Sequence, residues 1–225
     1  MTTTLYRWPD RAAFGRTIPK SKFYEYGGLR TALRERFVED VQRVTWAYKL
    51  AESTIQLRGT SAVPEIQIFT VETKTEDVSD EVLTAIDKSV HFPILFEVVH
   101  GSDGRVRLVG AHKTFGGATL KLGQYFSTEW LPGDAPRAAL PTALDLPNLY
   151  DLVLASLLPV PKRRGESLSQ TTVRIEQVGR LQREIAALDR KLRAEPQLNR
   201  KVELRRRLKG SIAALAELTD PATTN

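Results

Sequence analysis

Two leucine-rich stretches near the C-terminal end constrain the fold of this chain most strongly. In the first stretch, apolar residues recur at spacings of 3, 4, 3 and 4, at Val178, Leu181, Ile185, Leu188 and Leu192. This spacing places two apolar residues of every heptad on one stripe of a helix, which is the pattern of coiled coils. We therefore expect a long helix whose stripe packs against a second helix.

A proline separates the first stretch from the second. Glu195 precedes Pro196, and a residue before proline is pushed out of the helical region. Apolar residues then recur at helical spacing, at Leu198, Val202, Leu204, Leu208, Ile212, Leu215 and Leu218. Two arms joined by a proline-marked turn predict an antiparallel helical hairpin. A single kinked helix that pairs with a second subunit is the alternative, and it would give a homodimer. The residues expected to hold the arms together are Leu181, Ile185, Leu188, Leu204, Leu208 and Ile212.

Positive charge is concentrated in the same region. Residues 161–210 contain 15 Lys or Arg and 6 Asp or Glu, a net charge of +9, whereas the whole chain carries +6. Such an imbalance is typical of a segment that binds nucleic acid or an acidic protein surface, and a solvated helix face is the third interpretation. Because neither arm contains an aromatic residue, we expect contacts to phosphates rather than to bases. The candidate contact residues are Arg190, Lys191, Arg193, Arg200, Lys201, Arg205, Arg206, Arg207 and Lys209.

The first 160 residues have the patterns of a mixed α/β (α+β) body. Helical spacing follows Gly28, and it follows the N-cap candidates Ser79 and Asp145. Strand patterns occupy residues 44–50, 65–74, 93–99, 105–113 and 120–130. We expect a body at 1–160, with about three helices and a mixed, largely antiparallel sheet, followed by the hairpin at 161–225. Three segments are expected to be irregular: an N-terminal arm of about two dozen residues packed on the body, a turn or bulge at 115–119 and a surface connection at 132–147.

Glu72, Thr73 and Lys74, at the end of a predicted strand, have the carboxylate-x-lysine form of many metal-dependent nucleases. In those enzymes the acid holds Mg²⁺ and the lysine positions or polarises the attacking water. A metal site needs at least one further carboxylate, which Glu65, Asp87 or Glu97 could supply if the fold brings them together. The simpler interpretation is an exposed strand end that continues into a polar loop.

Other catalytic patterns are weak in this sequence. Asp87 and Lys88 could form a catalytic pair, but a local ion pair at a helix end is the simpler interpretation. The chain has no Cys and three His, without the spacing of a zinc site, so we expect no metal centre and no cofactor. Whether the chain is an enzyme is left open, with a non-catalytic role favoured.

No apolar run reaches the roughly 18 residues that a membrane helix needs, and the N-terminus lacks the apolar core of a secretory signal. We therefore expect no membrane association and a cytoplasmic location.

Several strings together resemble the bacterial domain of unknown function 4391 family. They run in order from about Val41 into the hairpin: VQRVTWAYKLAESTIQL, EIQIFTVETK, AIDKSVHFPILFEVV, YFSTEW, LPNLYDLVLASLLP and REIAALDRKLRAEPQLNRKVELRRRLK. The resemblance implies no catalytic residues. It does imply a context, because such genes resemble accessory members of clusters that also encode helicases and DNA methyltransferases, of the restriction-modification or phage-defence kind.

Charge and resemblance together favour a non-catalytic accessory or adaptor protein of a DNA-defence system. Its hairpin would bind either the DNA backbone or an acidic surface of a helicase or methyltransferase partner. The alternatives are a Mg²⁺-dependent nuclease that uses Glu72 and Lys74, and a self-assembling coiled-coil protein.

Overall fold

The computed structural model describes residues 4–27, 30–114 and 121–220. They divide into two compact units, one ending at Leu158 and the other beginning at Pro159. The predicted helix start at Gly28 and the predicted turn at 115–119 lie outside the described residues.

The first unit is built on a six-stranded sheet with the order β2-β3-β4-β5-β6-β7. Only β4 and β5 run parallel, and the other neighbours are antiparallel, which confirms the mixed, largely antiparallel sheet. A separate parallel pair joins two short strands, β1 and β8. The strands are β1 Leu5–Tyr6, β2 Ala13–Thr17, β3 Val41–Ala51, β4 Glu65–Thr73, β5 Ile94–Val99, β6 Val106–Thr114, β7 Lys121–Ser127 and β8 Arg137–Ala138.

Helices cover both faces of this sheet. The helices of the unit are α1 Lys20–Gly27, α2 Thr31–Asp40, α3 Glu52–Ile55, α4 Asp80–Ser89 and α5 Leu146–Leu157. On one face, Phe69 and Phe96 pack in the apolar core with Leu83 of α4. The neighbouring residue Leu95 points to the other face, because side chains alternate along a strand. There a Cβ on Gly110 would lie 2.6 Å from Leu154 of α5, so glycine permits the close approach of that helix.

The N-terminal region differs from its prediction as an irregular arm. It contains β2, the edge strand of the main sheet, and α1. All five residues of β2 are exposed, so the strand lacks the apolar alternation by which a sequence reveals a strand. The surface connection at 132–147 likewise contains β8.

One predicted helix end and one predicted cap differ from expectation. The helical spacing that follows Gly28 continues to Val41, but α2 ends at Asp40 and Val41 is the first residue of β3. Ser79 is the N-cap residue of α4, as expected, but its side chain makes no capping hydrogen bond and has no partner among the described residues. Asp145 does cap α5, since its carboxylate accepts a hydrogen bond from the backbone N–H of Asn148 at 2.8 Å.

The second unit is the helical hairpin. Its arms are α6, Leu168–Ala194, and α7, Leu198–Thr219, with Pro196 in the connection. The two arms run antiparallel, because Arg174 near the start of α6 donates to the carbonyl of Leu218 near the end of α7, at 3.1 Å. No helix in the described part of the chain combines the length and apolar character that crossing a membrane requires.

The apolar residues that were expected to form the seam between the arms are buried to different extents. Leu188 is buried and Leu181, Ile185, Leu204 and Leu208 are half-buried. A helix turns about 100° per residue, so Leu198 and Val202 lie roughly 100° and 140° from the middle of the face that contains Leu204 and Leu208. Both are exposed, Leu198 at 72% and Val202 at 58%. Ile212 was expected to hold the arms together but is 50% exposed, because it lies roughly 60° from the middle of that face, at its edge.

Candidate nucleic-acid interface

The base of the hairpin is fixed by hydrogen bonds that the sequence pattern did not reveal. Ser167 and Gln170 form a reciprocal capping box that starts α6. Arg174 is buried, and its guanidinium binds Glu166 through both carboxylate oxygens at 2.8 Å. The same guanidinium donates to the backbone carbonyls of Pro161 and Leu218. One arginine therefore joins the segment before α6 to the last turn of α7.

The predicted contact residues remain available to a partner. Of these nine cations, Lys201 is half-buried and the other eight are exposed. Arg193 forms an ion pair with Asp189, one turn earlier on α6, at 2.6 Å. Within the described residues, the structure shows no ion pair for the remaining eight. The hairpin thus has a surplus of uncompensated positive charge.

Three of these cations line one open groove of about 460 Å³ beside the connection between the arms. Lys191 reaches it from the last turn of α6, and Arg200 and Arg207 reach it from α7. Two carboxylates, those of Glu195 and Glu203, line the same groove. Glu195 accepts a hydrogen bond from the backbone N–H of Gln197 at 3.0 Å, so its carboxylate also stabilises the connection.

The other predicted cations of α7 are spread around the helix rather than gathered on one side. Successive residues of a helix are rotated by about 100°, which places Arg205 and Lys209 roughly 140° or more from Arg200. The sequence pattern predicts the basic residues as contacts, but it did not suggest the two carboxylates of the groove. The spacing contained a signal for one of them, since Glu203 lies three residues after Arg200 and four before Arg207, as neighbours on a helix surface do.

The candidate nuclease pair of the body is engaged in other contacts. The Glu72 carboxylate accepts hydrogen bonds from Arg43, on the neighbouring strand, at 2.5 and 2.8 Å. The Lys74 ammonium donates to the backbone carbonyl of Val38 at 2.8 Å. Each side chain is therefore bound by a partner other than its neighbour in the motif.

The three further carboxylates are also paired separately. Glu65 binds Lys49 at 2.8 Å, Asp87 binds Lys113 at 2.8 Å and Glu97 binds Arg137 at 2.5 Å. Within the described ranges, the structure brings together no group of three His, Asp or Glu side chains that could hold a metal ion. The expected local pair of Asp87 with Lys88 is also replaced, since Lys113 is the partner and Lys88 is exposed.

A family model described as "Domain of unknown function (DUF4391)" matches residues 7–215, which include almost all of both units. No curated protein matches the chain. No solved structure matches it either.

Proposed function

This chain belongs to the DUF4391 family, and we propose that it is a non-catalytic accessory protein whose hairpin binds the phosphate backbone of DNA. The observation that carries the proposal is the surplus of exposed cations on α6 and α7 that have no ion pair within the described residues. Each phosphate that Lys or Arg neutralises releases condensed counterions from DNA, so such a surplus converts directly into affinity.

The geometry of α7 is compatible with a row of phosphates. Arg200 and Arg207 are seven residues apart, which is roughly 10 Å along a helix that rises 1.5 Å per residue. Each DNA strand has one phosphate for every 3.4 Å or so of duplex axis, so both arginines can reach phosphates of one strand. The absence of aromatic residues from both arms favours backbone contacts that do not depend on base sequence.

The separate pairing of the body carboxylates supports a role without catalysis. A metal-dependent nuclease needs carboxylates that converge on the ion at distances near 2.1 Å. Glu72, Asp87 and Glu97 are instead bound by Arg43, Lys113 and Arg137, respectively. Binding and positioning are therefore the activities that we assign to this chain.

The biological context is part of the proposal. We propose that the protein acts in the cytoplasm as part of a bacterial DNA-defence system. Its resemblance to accessory members of clusters that encode helicases and DNA methyltransferases supports this proposal. DNA is the ligand for which we argue. An acidic surface of a helicase or methyltransferase is the ligand that a negative DNA-binding result would indicate.

The test uses fluorescence anisotropy of a labelled duplex titrated with the full chain. Replacement of Arg205, Arg206 and Arg207 by Glu should abolish binding, because it removes three cations and adds three like charges to the phosphates. Far-ultraviolet circular dichroism should show unchanged helix content, since all three side chains are exposed.

The control has the same change in net charge but places it on the body. It replaces Arg7, Arg58 and Lys88 by Glu, three exposed cations for which the described residues offer no ion pair. We expect this variant to retain most of the affinity. Equal loss in both variants would show that net charge rather than the hairpin governs binding, and the proposal would be wrong.

A further inference from the structure

A second basic pocket lies in the body, where the chain leaves β2, enters α1 and later begins β3. Its volume is about 410 Å³, within the range of small-ligand pockets. Its lining includes Thr17 at the end of β2, Lys20 at the start of α1, Gln42 and Arg43 of β3, and Glu72 of β4. These side chains offer hydroxyl, ammonium, amide and guanidinium donors around one carboxylate.

Two lysines act on each other near this pocket, Lys20 in its lining and Lys74 outside it. Lys20 donates to the backbone carbonyl of Val41, and Lys74 donates to that of Val38 at 2.8 Å. Burial, and then the positive charge of Lys74, hold the pKa of Lys20 below its usual range. An ammonium group has three N–H donors. Each lysine uses one of them for the backbone carbonyl named above, and the other two can donate to a ligand.

The nearby carboxylates do not balance these charges. Arg43 directs its Nε and Nη2 atoms to one oxygen of Glu72, so this carboxylate compensates the guanidinium. Lys74 and Asp40 both lie outside the pocket lining, and the Asp40 carboxylate lies 3.4 Å from the backbone nitrogen of Ser79, at the start of α4. Within the lining, Lys20 and Arg43 outnumber Glu72 by one charge, and a bound anion would balance that charge.

We propose that this pocket binds a phosphate monoester, with Lys20 and Arg43 as its charged contacts. Thr17 of β2 and Gln42 of β3 supply neutral donors. The volume admits a phosphate together with an attached nucleoside, so the ligand is either a free nucleotide or the 5′-phosphate at a DNA end. This site is independent of the hairpin proposed above to bind DNA.

The test is isothermal titration calorimetry of the full chain with deoxyadenosine 5′-monophosphate. Lys20→Gln should weaken binding by about tenfold or more, because it removes a charge-assisted hydrogen bond. Lys22→Gln is the matched control, a lysine of the same helix outside the pocket lining, and it should leave binding unchanged. If a thermal scan shows that Lys20→Gln does not fold, Thr17→Val is the second variant. It should reduce the affinity for the mononucleotide by less than Lys20→Gln.

Two oligonucleotides separate the sources of the phosphate. A preference for a 5′-phosphorylated strand over the same strand with a 5′-hydroxyl, lost in Lys20→Gln, identifies a DNA end. Binding of the mononucleotide without that preference identifies a free nucleotide. No binding of the mononucleotide by the unmodified chain at roughly 10 mM, or equal binding by Lys20→Gln, would overturn the proposal.

The variant with Glu at positions 205, 206 and 207 separates this result from the proposed function. It should bind the mononucleotide as the unmodified chain does, because the altered residues are on α7 and the pocket is in the body. Failure of DNA binding by the hairpin would therefore leave the phosphate pocket standing, and failure of the pocket would leave the hairpin proposal standing.

Discussion

At the scale of single residues, the most unusual side chain is a fully buried lysine. The three N–H donors of the Lys113 ammonium are shared among four acceptors at 2.5 to 2.9 Å, which are the Asp87 carboxylate and the backbone carbonyls of Asp87, Val90 and Phe92. The other Asp87 oxygen accepts a hydrogen bond from the Tyr125 hydroxyl at 3.0 Å. Burial lowers the pKa of Lys113 and raises that of Asp87, and the opposite charge of the partner counteracts each shift. The lysine thereby fastens the end of α4 to β6.

Removing one partner of this buried pair should be costly. Lys113→Met leaves the Asp87 carboxylate without its cation, and we expect the free energy of unfolding to fall by about 3–5 kcal/mol. Urea denaturation measures the change. Adding Asp87→Asn to Lys113→Met should restore much of the loss, since the uncompensated charge is then gone. A loss below about 1 kcal/mol for Lys113→Met alone would contradict the structural role.

The groove of the hairpin gives a second prediction at this scale. Glu203 lies between Arg200 and Arg207 and repels any phosphate that approaches them. Glu203→Gln should therefore increase the affinity for duplex DNA several-fold, by roughly the 1 kcal/mol of a partly exposed charge interaction. Glu176→Gln, an exposed carboxylate of α6 outside the groove, is the control. Equal affinities of Glu203→Gln and the unmodified chain would mean that the groove is not a contact site.

At the scale of elements, the hairpin depends on the contact between Glu166 and Arg174 at its base. Hydrogen bonds from Arg174 lower the pKa of Glu166 from 4.5 to about 2. A carboxyl group whose pKa is lower in the folded chain than in the unfolded chain stabilises the fold. This stabilisation is complete at pH values above the unfolded pKa, and it is lost as the pH falls through the folded pKa. The window lies between pH 4.5 and about pH 2.

This pH window predicts that the stabilisation by Glu166 differs between pH 6 and pH 2.5. At pH 6 the unmodified hairpin should be more stable than Glu166→Gln, and at pH 2.5 this advantage should be largely gone. Helix unfolding, followed by circular dichroism in urea at both pH values, measures the difference. An advantage of the same size at both pH values would contradict the assignment of the contact.

The same elements show what could be predicted from the sequence. The heptad spacing and Pro196 predict both arms because helical periodicity is local. The edge strand β2 could not be predicted, since its five exposed residues show no alternation. The basic residues of the interface could be named in advance. The grouping of these residues could not be predicted. Lys191 lies near Arg200 and Arg207 only because the connection between the arms turns the chain back on itself, and the sequence does not specify the path of that connection.

At the scale of the whole molecule, the pairing of α6 with α7 within one chain determines the expected assembly. Leu188 of α6 is buried and Leu204 and Leu208 of α7 are half-buried within one molecule, although Leu198, Val202 and Ile212 of α7 remain exposed. Size-exclusion chromatography with light scattering should therefore give a monomer of 25.2 kDa. A stable dimer at micromolar concentration would favour the intermolecular pairing that the sequence left open.

The salt dependence of DNA binding is the most direct test of whether the hairpin binds DNA through its phosphates. For the full chain and a duplex, the logarithm of the affinity should fall linearly with the logarithm of salt concentration, by about 0.9 per phosphate contacted. Replacing both Arg200 and Arg207 by Gln should make that slope shallower by about 1.8. Undetectable binding at low salt, or a slope that the two replacements leave unchanged, would contradict the account of the hairpin as a DNA-binding element.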